Sequence, residues 1–128
     1  GDVYKRQGKT IDSVPMGKNF GDVLESTASV TVGQKAVAQF VAANPNNDLR
    51  LEDGYLLIKN DRGEIVSDDW DQATVIEFAK DGNYTTAKVT WETGGAAPGK
   101  YDIIVRGSAL GAGDSLNEFE GVAAVELV

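Results

Sequence analysis

The sequence predicts an all-β domain, a two-sheet antiparallel β-sandwich, on three observations. Seven to nine short apolar or alternating runs follow one another with turn signals between them. No stretch repeats its apolar residues at helical spacing. Glycine, asparagine and aspartate gather between the runs, where tight turns need them. Strands of this kind close as two packed sheets, with an open barrel as the alternative architecture.

The elements follow in chain order. Gly8–Asp22 carries Pro15 and glycines 8, 17 and 21 among small and polar residues, and reads as an extended connector. The domain division expected is therefore a connector over 8–23 and a sandwich over 24–128. Val23-Leu24 and Ser29–Val32 are short strand candidates ended by Gly33. Lys35–Ala43 alternates and then turns apolar on both faces, as an inner strand does. It stops at Asn44-Pro45-Asn46-Asn47-Asp48, where Pro45 holds Asn44 away from helical backbone and the Asn and Asp side chains favour Asx turns. This is a strand delivered into a shaped polar loop.

Tyr55–Lys59 is a buried-strand run, Asn60-Asp61-Arg62-Gly63 a turn, and Glu64–Val66 the returning partner. Asp68-Asp69-Trp70-Asp71 is an acidic cluster around an aromatic ring. Ala73–Phe78 makes a further strand, closed by the Lys80–Asn83 turn. Tyr84–Trp91 is the clearest strand. Thr85, Ala87, Val89 and Trp91 share its apolar face, which places Trp91 in the core. Pro98-Gly99-Lys100-Tyr101 then leads into the strand Lys100–Arg106. That entry is common in immunoglobulin-like sandwiches, where the tyrosine hydroxyl ties down the preceding corner. Gly107–Asn117 reads as a long glycine-rich loop, and Val122–Val128 as the last strand.

Composition narrows the function. The 128 residues suit one domain, and 41% apolar content supports a modest core. A net charge of −8, from 20 acidic and 12 basic residues, argues against a nucleic-acid partner, which needs a basic face. No apolar run approaches the roughly 20 residues of a spanning helix, so no membrane span is expected. Histidine and cysteine are both absent. A Ser-His-Asp triad, a Cys-His pair, a His-ligated zinc and a disulfide framework are thus impossible within this chain. Catalysis by these residues alone is not expected.

Local motifs add little chemistry. Asp68 and Asp69 could offer hard oxygen ligands to Ca²⁺ or Mg²⁺, against the plainer reading of a solvated acidic turn. Asn44, Asn46 and Asp48 have the alternate spacing that opens an EF-hand loop, but the glycine and the closing glutamate are missing. Asn83-Tyr84-Thr85 forms a glycosylation triplet of a kind that arises often by chance. Glycines 107, 111 and 113 precede no helix and make no phosphate cradle. Gly1–Gln7, read back through the genetic code, resembles the end of a transposase adapter used for sequencing libraries. It is expected to be a translated adapter fused to a fragment of a longer gene.

Several segments, in order, resemble the C-terminal domain of neutral or alkaline ceramidases. The two most specific are GKNFGDV (Gly17–Val23) and ANPNNDLR (Ala43–Arg50). The strand Tyr55–Lys59, the acidic Trp70 segment, Val89-Thr90-Trp91, Pro98–Tyr101 and Phe119-Glu120-Gly121 follow in the same order. The resemblance covers Val14–Val128. It implies an immunoglobulin-like domain behind a catalytic domain that carries zinc and a serine nucleophile and hydrolyses the amide of ceramide. Ceramide would meet this chain only through that domain, in an extracellular or periplasmic protein. It also implies a Ca²⁺ or Mg²⁺ at the domain junction, with Asp68 and Asp69 the nearest matches. Gln72 stands where the family pattern has threonine. Phe20, Asp22, Asn44, Asn46, Asp48, Arg50 and Trp70 are the residues expected to dock on the catalytic domain. The alternative is a free-standing adhesin-like or carbohydrate-binding sandwich, with Tyr84 and Trp70 as sugar platforms.

Overall fold

The computed structural model describes residues 19–44, 47–68, 74–110 and 116–128. Nine strands lie within them: β1 (Val23–Ser26), β2 (Ser29–Val30), β3 (Lys35–Ala43), β4 (Asp48–Asn60), β5 (Ile65–Asp68), β6 (Thr74–Asp81), β7 (Tyr84–Glu92), β8 (Gly99–Leu110) and β9 (Leu116–Leu127). They form a four-stranded sheet in the order β1-β3-β7-β6 and a five-stranded sheet in the order β2-β9-β8-β4-β5. Those orders are the A-B-E-D and G-F-C arrangements of an immunoglobulin domain, with β2 added beyond strand G and β5 beyond strand C. All pairings are antiparallel except that of β2 with β9, which run parallel. Among the described residues no helix is long and apolar enough to cross a membrane.

Period-two alternation explains the packing. On β9, Phe119, Ala123, Val125 and Leu127 are buried while Glu118, Glu120, Ala124 and Glu126 face solvent. Tyr101, Ile103 and Val105 of β8, Leu56 and Ile58 of β4, and Ala38, Phe40, Val89 and Trp91 of the facing sheet complete the core. Trp91 is 3% exposed, as its alternating face requires, and stands edge-on to Tyr101 at 5.2 Å. The Tyr101 hydroxyl donates to the Ala97 carbonyl at 2.6 Å, the tyrosine corner expected of Pro98–Tyr101. Two residues on, where antibody domains carry their second disulfide cysteine, Ile103 fills the space with carbon.

Three segments differ from the sequence expectation. Gly107–Asn117 is not a long loop: β8 runs through Leu110 and β9 starts at Leu116, in continuous register from Gly107↔Phe119 to Leu110↔Leu116. Glycine is compatible with this strand because the Phe119 ring lies across Gly107, 2.6 Å from where a β-carbon would sit. The polar loop after β3 is also shorter than read. Asp48, Leu49 and Arg50 already pair with β8, and the strand pair is interrupted later, by a register shift between Leu51 and Leu56. On β7 it is Thr86 (1% exposed), rather than Thr85, that is fully buried, and its hydroxyl donates to the Ala79 carbonyl at 3.2 Å. Opposite them β3 shifts register between Val41 and Ala43, which breaks the strict alternation.

Candidate docking surface where the chain enters the sandwich

The Asn19–Asp22 segment lies outside both sheets yet is tied to them at every turn. Its own ends are joined by the Asp22 N–H donating to the Asn19 carbonyl at 3.0 Å and the Asn19 N–H donating to Asp22 Oδ2 at 2.7 Å. Gly21 N–H donates to the Val41 carbonyl at 2.8 Å, and Val41 N–H donates back to the Asp22 carbonyl at 2.9 Å. Phe20, half-buried, tilts against Phe119 with ring centroids 6.4 Å apart.

Glycine makes this approach physically available. Gly21 sits at φ +88°, and a β-carbon there would strike the Glu120 peptide, 2.6 Å from its carbonyl carbon. Across from it, a β-carbon on Gly121 would stand 2.7 Å from the Gly21 carbonyl and 2.8 Å from Cε1 of Phe40. Gly107 takes the Phe119 ring on one side and lies close to the Arg50 carbonyl, 3.2 Å from its missing β-carbon, on the other. Two pieces of sequence thus meet here, GKNFGDV through Phe20 against Phe119 and Gly21 against Glu120, while ANPNNDLR comes up to Gly107, next to the Phe119 ring, through the Arg50 carbonyl.

The expected docking residues distribute as follows. Phe20 and Asp22 are half-buried in the entering segment. Asn44 and Asp48 are 6% and 5% exposed. The Asn44 carbonyl accepts from the Asn47 N–H at 3.0 Å, closing the bend between β3 and β4. Arg50 is exposed on β4. Asn46, Asp69 and Trp70 lie outside the described residues. Asp68 belongs to another region, the edge where β5 hands over to β6, and its carbonyl accepts from the Thr74 hydroxyl at 2.7 Å. Exposed apolar side chains flank that edge, Ile65 and Val66 on β5 and Val75 and Phe78 on β6. Tyr84 is half-buried at the start of β7.

Sequence reasoning missed Gly107, Gly121 and Phe40 as members of the entry site. The available signal was a glycine at an inward position of β9, a strand whose other inward residues are mostly bulky. Glu120 pairs with Arg106 at 2.8 Å at the entry, and a second charged group lies elsewhere. At the β4–β5 turn, Asn60 and Arg62 both donate to Glu64 and hold its carboxyl below the usual range, while Glu64 raises Arg62. Among the described residues no three acidic side chains gather as a metal site, so Asp68 would need ligands from elsewhere to hold a cation. The rings of Phe40 and Phe119 and the backbone of Gly21 and Val41 are used within the domain, leaving the half-buried Phe20 and the exposed Arg50 toward solvent.

Comparison with known proteins identifies the family. Residues 4–125 match the family model described as neutral/alkaline non-lysosomal ceramidase, C-terminal. The chain belongs to that family. The match starts inside the Gly1–Gln7 stretch and takes in every segment from GKNFGDV to Phe119-Glu120-Gly121. A neutral ceramidase of Mycobacterium tuberculosis is 34% identical over 107 residues, covering 79% of this chain and 17% of the relative. One of Pseudomonas aeruginosa is 33% identical over 111 residues, covering 80% and 17%. Neutral ceramidase 3 of Arabidopsis thaliana is 30% identical, covering 91% and 18%. The crystal structure of the Pseudomonas enzyme superposes with a TM-score of 0.78 at 29% identity, over 95% of this chain and 21% of that one. The chain therefore corresponds to a C-terminal ceramidase domain and spans less than a fifth of the curated relatives' length.

Proposed function

We propose that this domain is a buttress, packing against and supporting the catalytic part of a ceramidase-type N-acylsphingosine amidohydrolase. The observation that supports this reading is the packing of the family-specific entering segment, Phe20 and Gly21, onto Phe119 and Glu120, with Arg50 of the second family-specific segment against neighbouring Gly107. An autonomous fold does not need its entry to be built from its least generic residues. A surface that meets a neighbouring domain does. Arg50, exposed beside the entry, can offer its forked guanidinium to a carboxylate of that neighbour. Zinc chemistry belongs to the catalytic part, since this chain has no histidine or cysteine to ligate the metal. Ceramide reaches the complex through that part, in an extracellular or periplasmic setting. A Ca²⁺ or Mg²⁺ at the junction would use Asp68 and Asp69 only together with groups from the partner domain.

The test begins with the source DNA upstream of Gly8, read to recover the longer reading frame. The encoded polypeptide is then compared with a version lacking residues 19–128. Loss of thermal half-life for ceramide hydrolysis on truncation, partly restored by adding the 128-residue chain, is the expected result. A truncated enzyme that melts and turns over like the full one would sink the proposal.

A further inference from the structure

We infer that the Asn19–Asp22 segment is a rigid joint: a strap clamped between β3 and β9 that fixes the direction in which the preceding polypeptide enters the domain. A flexible tether needs no contact with the fold it leads into. This strap has a closed turn of its own, two reciprocal backbone hydrogen bonds to Val41, and a ring contact to Phe119. Its decisive feature is the close approach of the Gly21 and Gly121 backbones. A β-carbon on Gly21 would strike the Glu120 peptide, and one on Gly121 would strike the Phe40 ring and the Gly21 carbonyl, so the approach requires glycine at both positions. Among the described glycines, only 21, 107 and 121 would place a β-carbon in collision with a neighbour, and all three surround Phe119 and the strap. Glycines 33, 63 and 82 serve open turns with nothing nearby.

Because the strap closes onto Val41 and Glu120, it couples β3 of one sheet to β9 of the other. Opening it therefore costs contacts with both sheets at once, which is the physical content of rigidity here. The inference leans on the proposed function only in taking the preceding polypeptide to be a catalytic domain.

The experiment is backbone ¹⁵N relaxation on the 128-residue chain. The amides of Phe20, Gly21 and Asp22 are expected to give order parameters of about 0.85, level with Val41. Values below about 0.6 would overturn the joint outright. Gly121→Ala is expected to speed exchange of the Gly21 amide at least about tenfold while Ile58 stays protected. Should that variant fail to fold, Gly21→Ala displaces the strap from outside the sheets and serves the same purpose. Unchanged strap order in a folded variant counts against the proposal. In the longer polypeptide, small-angle scattering separates the two readings. A strap loosened by substitution with an unaltered interdomain distance distribution would overturn the joint and leave the buttress standing.

Discussion

The two ends of the sandwich are held by different physics. At the far end, side chains bond to backbone: Tyr101 to Ala97, Thr93 Oγ1 donating to the Gln34 carbonyl at 2.7 Å and accepting from Gly33 N–H at 3.0 Å, and Asn60 capping its own turn. Each device completes a corner whose backbone groups would otherwise lack partners. At the entry end, three glycines clear the way for rings and main chain to touch directly. The first end is what a sandwich needs to be a sandwich. The second end spends glycine, which is entropically costly to order, on one particular approach. Under the proposed function, this is the end that meets the catalytic part.

Substitutions can break or sharpen this contrast. Trp91→Ala, at the far end, should have the largest effect, about 3–5 kcal/mol lost in urea unfolding, because a large buried ring leaves a cavity that Tyr101 cannot fill. Gly121→Ala, at the entry, should cost about 1–3 kcal/mol by overpacking against Phe40 and the Gly21 carbonyl. An equal loss of protection at Ile58 and Gly21 in that variant would mean the entry is ordinary core. Tyr101→Phe removes one hydrogen bond and keeps the ring, so about 1 kcal/mol is expected, with an unchanged Gly21 amide. The smallest effect belongs to Glu64. Its folded carboxyl titrates below its free value of 4.5, so its contribution is present above that pH and fades as pH falls through the lowered value. Glu64→Gln should flatten that acid limb of a melting-temperature profile and change little at neutral pH, since the turn is fully exposed.

The same contrast explains what could be read from residues alone. The far end was legible because its signals are local. Pro98–Tyr101 spells a corner, Asn60–Gly63 spells a turn, and Trp91 lies on an alternating face. The entry end was legible only as a family resemblance, since nothing within GKNFGDV states that Gly21 will meet Gly121, one hundred residues later. Gly107 illustrates the failure best. Counted with its neighbours it suggested a loop, and only the Phe119 ring across the strand pair makes it a strand residue. By composition Asp48 likewise reads as loop, whereas pairing with Leu110 draws it into β4.

The parallel pairing of β2 with β9 carries a consequence of a mechanical kind. Between Ser26 and Ser29 the chain crosses from one sheet to the other, and there the Glu126 N–H donates to Ala28, Val128 N–H to Val30, and Val32 N–H to Val128, each at 3.0 Å. Tension pulling β2 and β9 in opposite directions along their axes loads these bonds in shear, all at the same moment. An antiparallel hairpin pulled from its open end would instead peel, one bond after another. A domain fastened this way can pass a pull from its second strand to its last without unravelling from the edge.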